Sequence, residues 1–224
     1  MFLFIFNLVF GSNEVTVPAG TSYLSTSYIP MMIAFSVINA SYTNMAMSLV
    51  IARDNRILKR LRGTPLPPAS FILGKFMHNA LISIFLVVVV VLSGVFIFDV
   101  PLPMRAMPAF LITLIVGTAT FSCLGIAVTS IIPNADAAPA IVNATVLPLL
   151  FISDVFIPMD NAPNWLNTIA QVFPIRPFSL ALQDSFDPFS KGATLDFLNL
   201  SIMGLWMFLG LISALKFFSW QPRK

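Results

Sequence analysis

Residue types that usually carry out chemistry are scarce in this sequence. His78 is its single histidine and Cys123 its single cysteine, so a disulfide or a thiolate metal cluster is not expected within the chain. No Gly-rich phosphate loop, H-E-x-x-H zinc motif or G-x-S-x-G nucleophile motif occurs. We therefore expect no enzyme here, with no catalytic residue, no metal site and no cofactor bound by this chain.

Polar side chains within apolar segments form a second group of interest. Ser36, Asn39 and Thr43 recur at i, i+3 and i+7, which places them on one face of a helix. Small polar residues commonly join membrane helices; lining a substrate pathway is the alternative. Asp154 lies near the end of an apolar segment. We expect it either to reach water or to tune substrate release together with Arg176.

The composition indicates what must hold these residues in place. Hydrophobic residues make up 58% of the 224 positions and charged residues 9%, whereas a soluble domain carries about 25% charged residues. Membrane lipid must therefore cover much of the surface. The net charge of +3 would suit nucleic acid, but the basic residues cluster as they do in cytoplasmic loops, so we expect no nucleic-acid partner.

Five apolar segments are long enough to cross a bilayer, which takes about 20 residues. They cover residues 29–51, 76–98, 107–132, 137–157 and 195–218. Residues 1–10 are also apolar but reach only about 15 Å as a helix, so we interpret them as part of a first span truncated at the N-terminus. The sequence predicts one all-α, polytopic transmembrane bundle over residues 1–224, with five full spans plus a partial first helix.

The distribution of Lys and Arg predicts the orientation, because cytoplasmic loops are enriched in both. Nine of the 12 basic residues lie in the 53–75 loop or near the C-terminus. We therefore expect a multi-pass protein of the cell membrane with its C-terminus in the cytoplasm. The 158–194 loop then lies outside. It contains a predicted short helix whose apolar face comprises Trp165, Leu166, Ile169, Val172 and Phe173.

Two segments carry a family resemblance. Residues 53–67 read RDNRILKRLRGTPLP, which resembles the R-E-x-G-T-L-K-R-L-R-x-T-P-L-P loop of type-2 ABC transporter permeases, the drug, lipid and polysaccharide exporter family. Residues 147–158 read LPLLFISDVFIP, which is similar to that family's L-P-L-L-F-L-S-G-V-F-x-P motif. The sequence departs from these motifs at Arg56 and Ile57, which replace Gly and Thr, and at Asp154, which replaces Gly.

The resemblance implies a transmembrane permease that exports its substrate and is driven by a separate ABC ATPase subunit. ATP and magnesium would bind in that partner, and the permease would form a homodimer or pair with a similar permease. The 53–70 segment would be the cytoplasmic coupling loop. Its apolar residues share a helical face that needs lipid headgroups or a protein groove to cover it. We assign ATPase coupling to Arg53, Asp54, Ile57, Leu58, Leu61 and Arg62.

The class of substrate follows from the scarcity of charge in the predicted spans. Ion-coupled carriers mark their pathways with buried ionisable residues, which are nearly absent here. We therefore expect an amphiphilic or lipid-like substrate and an external source of energy. A secondary carrier or channel not driven by ATP is the main alternative, and an ion requirement for transport would favour it. An intramembrane enzyme and a non-transporting scaffold or immunity protein are two further alternatives.

Overall fold

A computed structural model of the chain describes residues 14–17, 20–63, 68–98, 100, 102–104, 106–156, 163–186 and 195–217. It begins with a hairpin that pairs β1 (Glu14–Val17) antiparallel with β2 (Gly20–Tyr23). This hairpin is a small addition to the predicted all-α fold. A continuous apolar element follows and comprises α1 (Leu24–Ile38), a π-helical segment (Asn39–Thr43) and α2 (Asn44–Asp54).

The remaining elements are helices, and the shorter ones lie between or beside the long apolar ones. They are α3 (Ile57–Arg62), α4 (Pro68–Phe98), α5 (Met107–Val128), α6 (Ala138–Phe151), α7 (Asn164–Val172), α8 (Ile175–Phe186) and α9 (Phe197–Phe217).

Within the described ranges, four helices are long and apolar enough to cross a membrane. They cover Tyr28–Asp54, Ser70–Ile97, Met107–Val128 and Phe197–Phe217. The prediction of a polytopic helical bundle is thereby confirmed, and so are four of its five full spans. The predicted partial helix over residues 1–10 lies outside the described residues.

The predicted span over residues 137–157 is wrong in its length. Its helix, α6, has 14 residues and is therefore about 21 Å long, well short of a ~30 Å hydrocarbon core. The chain leaves the helix at Ile152 and turns. Asp154, in that turn, has a left-handed backbone with φ of 55°, which cannot continue a right-handed helix.

The 53–62 segment and the C-terminal end of α9, which carries Lys216, lie at the same end of the bundle. Thr120 Oγ1 on α5 donates a hydrogen bond to the Met203 carbonyl on α9 at 3.2 Å, and Ala214 clusters with Ile126. These contacts show that α5 and α9 run in the same direction. The end of α2 contacts the carbonyls that follow α5 (Ile132 among them). The 53–62 segment and the C-terminal end of α9 therefore share this end, called the basic end below.

Helices α7 and α8 form a hairpin that inserts into the bundle from the opposite end. Phe186 packs on Phe110 near the start of α5, with ring centroids 5.6 Å apart. Phe178 packs on Phe121, with ring centroids 5.3 Å apart, and Phe121 lies about 16 Å further along α5 than Phe110. The first helix of the hairpin corresponds to the predicted short helix, which begins after Pro163. Sequence reasoning did not identify the second.

Glycines on α5 and α9 allow close contact with neighbouring backbones. A Cβ atom at Gly125 would lie 2.7 Å from the Tyr42 carbonyl oxygen in the π-helical segment. A Cβ at Gly210 of α9 would lie 3.1 Å from the backbone of Cys123. The Cys-Leu-Gly-Ile-Ala stretch of α5 is thus held between these two neighbours.

We predict that Gly125→Ala lowers the free energy of unfolding by roughly 1–3 kcal/mol, because a backbone oxygen cannot move aside as a flexible side chain can. Thermal unfolding of the protein in detergent would measure this. Gly204→Ala is the matched control, since a Cβ there meets nothing within 4 Å and alanine favours the helix. Equal stability of the two variants would show that the close approach at Gly125 is unimportant.

Candidate functional site

Arg53 is buried, at 2% exposure, and its guanidinium contacts the connection between α5 and α6. Nη2 donates to the carbonyls of Ile132 at 2.8 Å and Pro133 at 3.0 Å, and Nη1 donates to that of Thr129 at 3.3 Å. Carbonyls at the end of a helix have no partner within that helix, and a basic side chain stabilises them. Arg53 therefore caps the end of α5 at Thr129 and also binds two carbonyls of the connection that follows.

Asp54 completes the same arrangement. Its Oδ1 accepts a hydrogen bond from Arg53 Nε at 3.4 Å, and its Oδ2 accepts one from the backbone N–H of Ala135. The end of α2 thus holds residues 129–135 from two sides. We call Arg53 and Asp54 the clasp. Both residues, assigned above to ATPase coupling, have these partners within the chain.

The predicted apolar face of α3 is divided between the interior and the surface. Leu58 is fully buried within the chain, whereas Ile57 is 42% exposed. Leu61 is partly buried, and the side chain of Arg62 lies outside the described residues. Lys59 and Arg60 are exposed. Helix α3 therefore anchors through Leu58 and presents Ile57 among cations.

Ser36, Asn39 and Thr43, which were predicted to share one helical face, do not line up on it, because the π-helical segment begins at Asn39. Asn39 Nδ2 donates to the carbonyl of Phe35 in its own helix at 2.9 Å, and Ser36 is half-buried. Thr43 Oγ1 is buried without a hydrogen-bond partner among the described residues. The structure therefore does not bring the three hydroxyl and amide groups together as one site.

Neighbouring polar residues that sequence reasoning missed make the contacts between helices. They pair Ser41 Oγ with Ser83 Oγ at 3.1 Å, Tyr42 Oη with Thr145 Oγ1 at 2.7 Å, and Asn44 Nδ2 with Asn79 Oδ1 at 2.9 Å. The π-helical segment shifts the helical phase, so these side chains point to α4 and α6. The signal available in the sequence was the density of polar residues between 39 and 44.

A cavity of about 220 Å³ lies beside Tyr42, at the turn of the inserted hairpin. Its polar groups are already occupied, because Tyr42 bonds Thr145 and Trp206 Nε1 donates to the Val172 carbonyl at 2.7 Å. Such a wall favours an apolar ligand. The lining includes Tyr42, Phe121, Leu124, Thr145, Phe173 and Trp206.

Asp154 and Arg176 form a buried ion pair at the foot of the hairpin. Arg176 Nε donates to Asp154 Oδ2 at 2.8 Å, and the two residues are 8% and 6% exposed. Arg176 Nη1 also donates to the Asn167 carbonyl at 2.8 Å. The carboxylate is thus buried and paired, so the expectation that it reaches water is not supported. The pair joins the end of α6 to both α7 and α8.

The described residues contain no group of three or more His, Cys, Asp or Glu that could hold a metal ion.

Comparison with known proteins decides the family. Residues 1–186 match the sequence profile described as ABC-2 type transporter. The chain belongs to the ABC-2 type transporter family. It is 24% identical over 172 residues to the putative transport permease ycf38 of Porphyra purpurea, and 28% identical over 176 residues to that of Cyanophora paradoxa. Each alignment covers 75% of this chain and 59% of the relative.

A bacterial relative is also similar to the chain. It is the probable multidrug ABC transporter permease YbhR of Escherichia coli K12, at 21% identity over 67% of this chain and 41% of that protein. The chain therefore spans less than two thirds of the length of these relatives. It is a multi-pass membrane protein, and these relatives carry the word permease in their names.

Two departures from the ABC-2 motifs noted above coincide with backbone geometry. Arg56 has φ of 58° and Asp154 has φ of 55°, and they are the non-glycine residues with positive φ in the described part of the chain. Glycine adopts this conformation without a steric penalty, whereas other residues pay roughly 1–2 kcal/mol. The motif glycines at these two positions therefore have a physical reason, which is a sharp turn after α2 and another after α6.

Proposed function

We propose that this chain is the transmembrane permease of an ABC exporter, powered by a separate ABC ATPase subunit that holds ATP and magnesium. The family membership supports this proposal. The observation that carries the coupling is the exposed side chain of Ile57 on α3, at 42% exposure, next to the buried Leu58. An anchored helix with one apolar side chain presented outward is suited to receive a partner.

The surface around Ile57 defines the chemistry of that partner. Arg56, Lys59 and Arg60 are all exposed, so the partner should offer an apolar pocket with acidic residues at its rim. Because 42% of Ile57 remains exposed, enclosing it contributes about 1 kcal/mol. Because Leu58 is fixed in the interior, movement imposed on α3 reaches α2, with which it is in contact.

The exposed face of α6 supports pairing with a second permease, either the same chain or a similar one. Asn143 is exposed on this face, between the small residues Ala140 and Ala144. An amide facing lipid lacks partners, whereas small residues allow another helix to approach closely. The buried face of α6, Val142 among it, packs against α2. A second permease or a substrate pathway would cover the amide.

The substrate class follows from the cavity and from the shortage of charge. Apolar walls beside Tyr42 and Trp206 suit the hydrocarbon part of an amphiphilic or lipid-like molecule. We place the basic end, with the C-terminal end of α9, in the cytoplasm of a cell-membrane protein by the positive-inside rule. Export as the direction rests on the family resemblance.

Transport by the full-length permease and its ATPase, purified as one complex from the native host and reconstituted in liposomes, tests the proposal. A fluorescent phospholipid analogue should move across the bilayer with ATP and not with a non-hydrolysable analogue. Liposomes with the permease alone are the control and should show background movement. Movement without the ATPase, or movement that follows an ion gradient, would instead support a secondary carrier or channel.

A further inference from the structure

The geometry points to Arg53 as a positioning residue that carries movement of α3 to α5 and α6, a role that rests on the proposed function. Arg53 does not contact the partner in this role. It lies five residues before Leu58, at the point where α2 ends, and it holds the connection that begins after α5. The two connections at the basic end are thereby joined within one chain.

All three nitrogens of the guanidinium are committed within the chain. Nε bonds Asp54, and Nη1 and Nη2 bond the carbonyls of Thr129, Ile132 and Pro133. At 2% exposure, the side chain offers no surface to another subunit. A direct contact with the ATPase is therefore excluded for Arg53 in this conformation, although its position in the loop suggested one.

The clasp is continuous with apolar packing that reaches the same connection. Ile132 and Ala138 cluster with Ala46 and Val50 of α2. Buried hydrogen bonds between charged and neutral groups are costly to leave unmade, so α2, the end of α5 and the start of α6 should move as one unit. Helix α3 adjoins this unit through α2, with which it is in contact, and its Leu58 is fully buried.

The helices that the clasp joins also carry the walls of the cavity. Phe121 and Leu124 belong to α5, whereas Thr145 and Leu149 belong to α6. If the clasp transmits movement of α3 to α5 and α6, the shape of the cavity changes. If the clasp is broken, the movement does not reach these helices and the cavity keeps its shape. Arg53 thus determines how much of each ATPase cycle becomes transport.

The test compares Arg53→Met and Arg53→Lys in the reconstituted complex. Methionine keeps an unbranched apolar side chain without hydrogen-bond donors. Lysine keeps the positive charge but has one ammonium group in place of the planar guanidinium with its several N–H donors. The readout is the number of lipid analogues moved per ATP hydrolysed, measured on the complex recovered after gel filtration. Lys216→Met, which removes an exposed cation from the same end, is the matched control.

For Arg53→Met we expect at least a tenfold loss of transport per ATP, with the ATPase still bound and hydrolysing ATP. Arg53→Lys should recover part of that loss, and Lys216→Met should match the parent complex. A merely structural role would reduce the yield of complex and leave the ratio per recovered complex unchanged, which overturns the inference. Loss of the ATPase from Arg53→Met also overturns it, because it would indicate direct contact.

The failure of this inference is distinguishable from failure of the proposed function. If the parent complex shows ATP-dependent transport and Arg53→Met has the same ratio, only the role of the clasp is wrong. If the parent complex itself shows no dependence on the ATPase, the proposed function fails and this inference fails with it.

Discussion

Arg176→Met should remove most of the folded protein from the membrane, because it leaves the buried carboxylate of Asp154 without its cation. The ion pair is short, at 2.8 Å between Arg176 Nε and Asp154 Oδ2, and both residues are almost fully buried. Removing one partner of a buried pair destabilises a protein by roughly 3–5 kcal/mol. That loss is a large part of the total stability of an ordinary domain.

A double-mutant cycle separates the pair from its surroundings. Asp154→Gly alone strands Arg176, although glycine relieves the left-handed backbone at this position. The double variant Asp154→Gly/Arg176→Met removes both charges, so it should be more stable than either single variant. Yield of monodisperse protein in detergent and its thermal unfolding would measure the three effects. Additive effects of the two single changes would show that the pair contributes no coupling.

Asp154→Asn is the control that removes the charge at this position while keeping a residue that tolerates the left-handed backbone. Asparagine tolerates positive φ well and can still accept a hydrogen bond from Arg176. It should therefore lose less stability than Asp154→Gly if hydrogen bonding dominates, and as much if the charge dominates. The same pair fixes the foot of the α7–α8 hairpin, so changes in substrate release by the surviving variants would test the role first expected for Asp154.

The spans could be predicted from the sequence because hydropathy over about 20 residues is a local property. Four of the five predicted segments form helices long enough to cross a membrane. The 137–157 segment does not, because α6 ends at residue 151. Hydropathy cannot distinguish a straight helix from one that stops at a left-handed residue. The replacement of a motif glycine by Asp154 was visible, but the partner of its carboxylate, Arg176, lies 22 residues away.

The second helix of the hairpin, α8, was missed for a related reason. It buries Arg176, Ser179 and Ser185, which composition places in an exposed loop. Each has a specific partner: Arg176 bonds Asp154, Ser179 Oγ donates to the Asp154 carbonyl, and Ser185 Oγ donates to that of Ala181. Two of these partners are distant in sequence, and no periodicity reports them.

The candidate site was only partly predictable because helical spacing assumes an undisturbed helix. Counting i, i+3 and i+7 from Ser36 fails across the π-helical segment, and Tyr42 reaches Thr145 instead. Likewise, a count of basic residues indicates a side of the membrane but not which arginine turns inward. Arg53 does so because the carbonyls after α5 need donors, a requirement that arises only once the two segments meet.

The surface that Ile57 presents to the proposed ATPase is tested by placing glutamate at two adjacent positions, one buried and one exposed. Leu58 is fully buried and Ile57 is 42% exposed, so a glutamate at each position reports on a different contact. Leu58→Glu would bury an unpaired charge within the permease, which costs several kcal/mol. We expect little of this variant in the membrane, whatever the partner does. It therefore cannot test the ATPase contact.

Ile57→Glu should instead leave the permease in the membrane at the parental level and release the ATPase. Loss of about 1 kcal/mol of apolar burial weakens binding roughly fivefold. The added carboxylate would also be buried without a cation in an acidic pocket, which costs several kcal/mol more. Co-purification of the ATPase and ATP-dependent lipid transport are the measurements, and Ile57→Met, which keeps the apolar surface, is the control. If Ile57→Glu retains both the ATPase and transport, α3 is not the joint between the subunits. If Leu58→Glu accumulates like the parent, the anchoring of α3 by Leu58 is wrong.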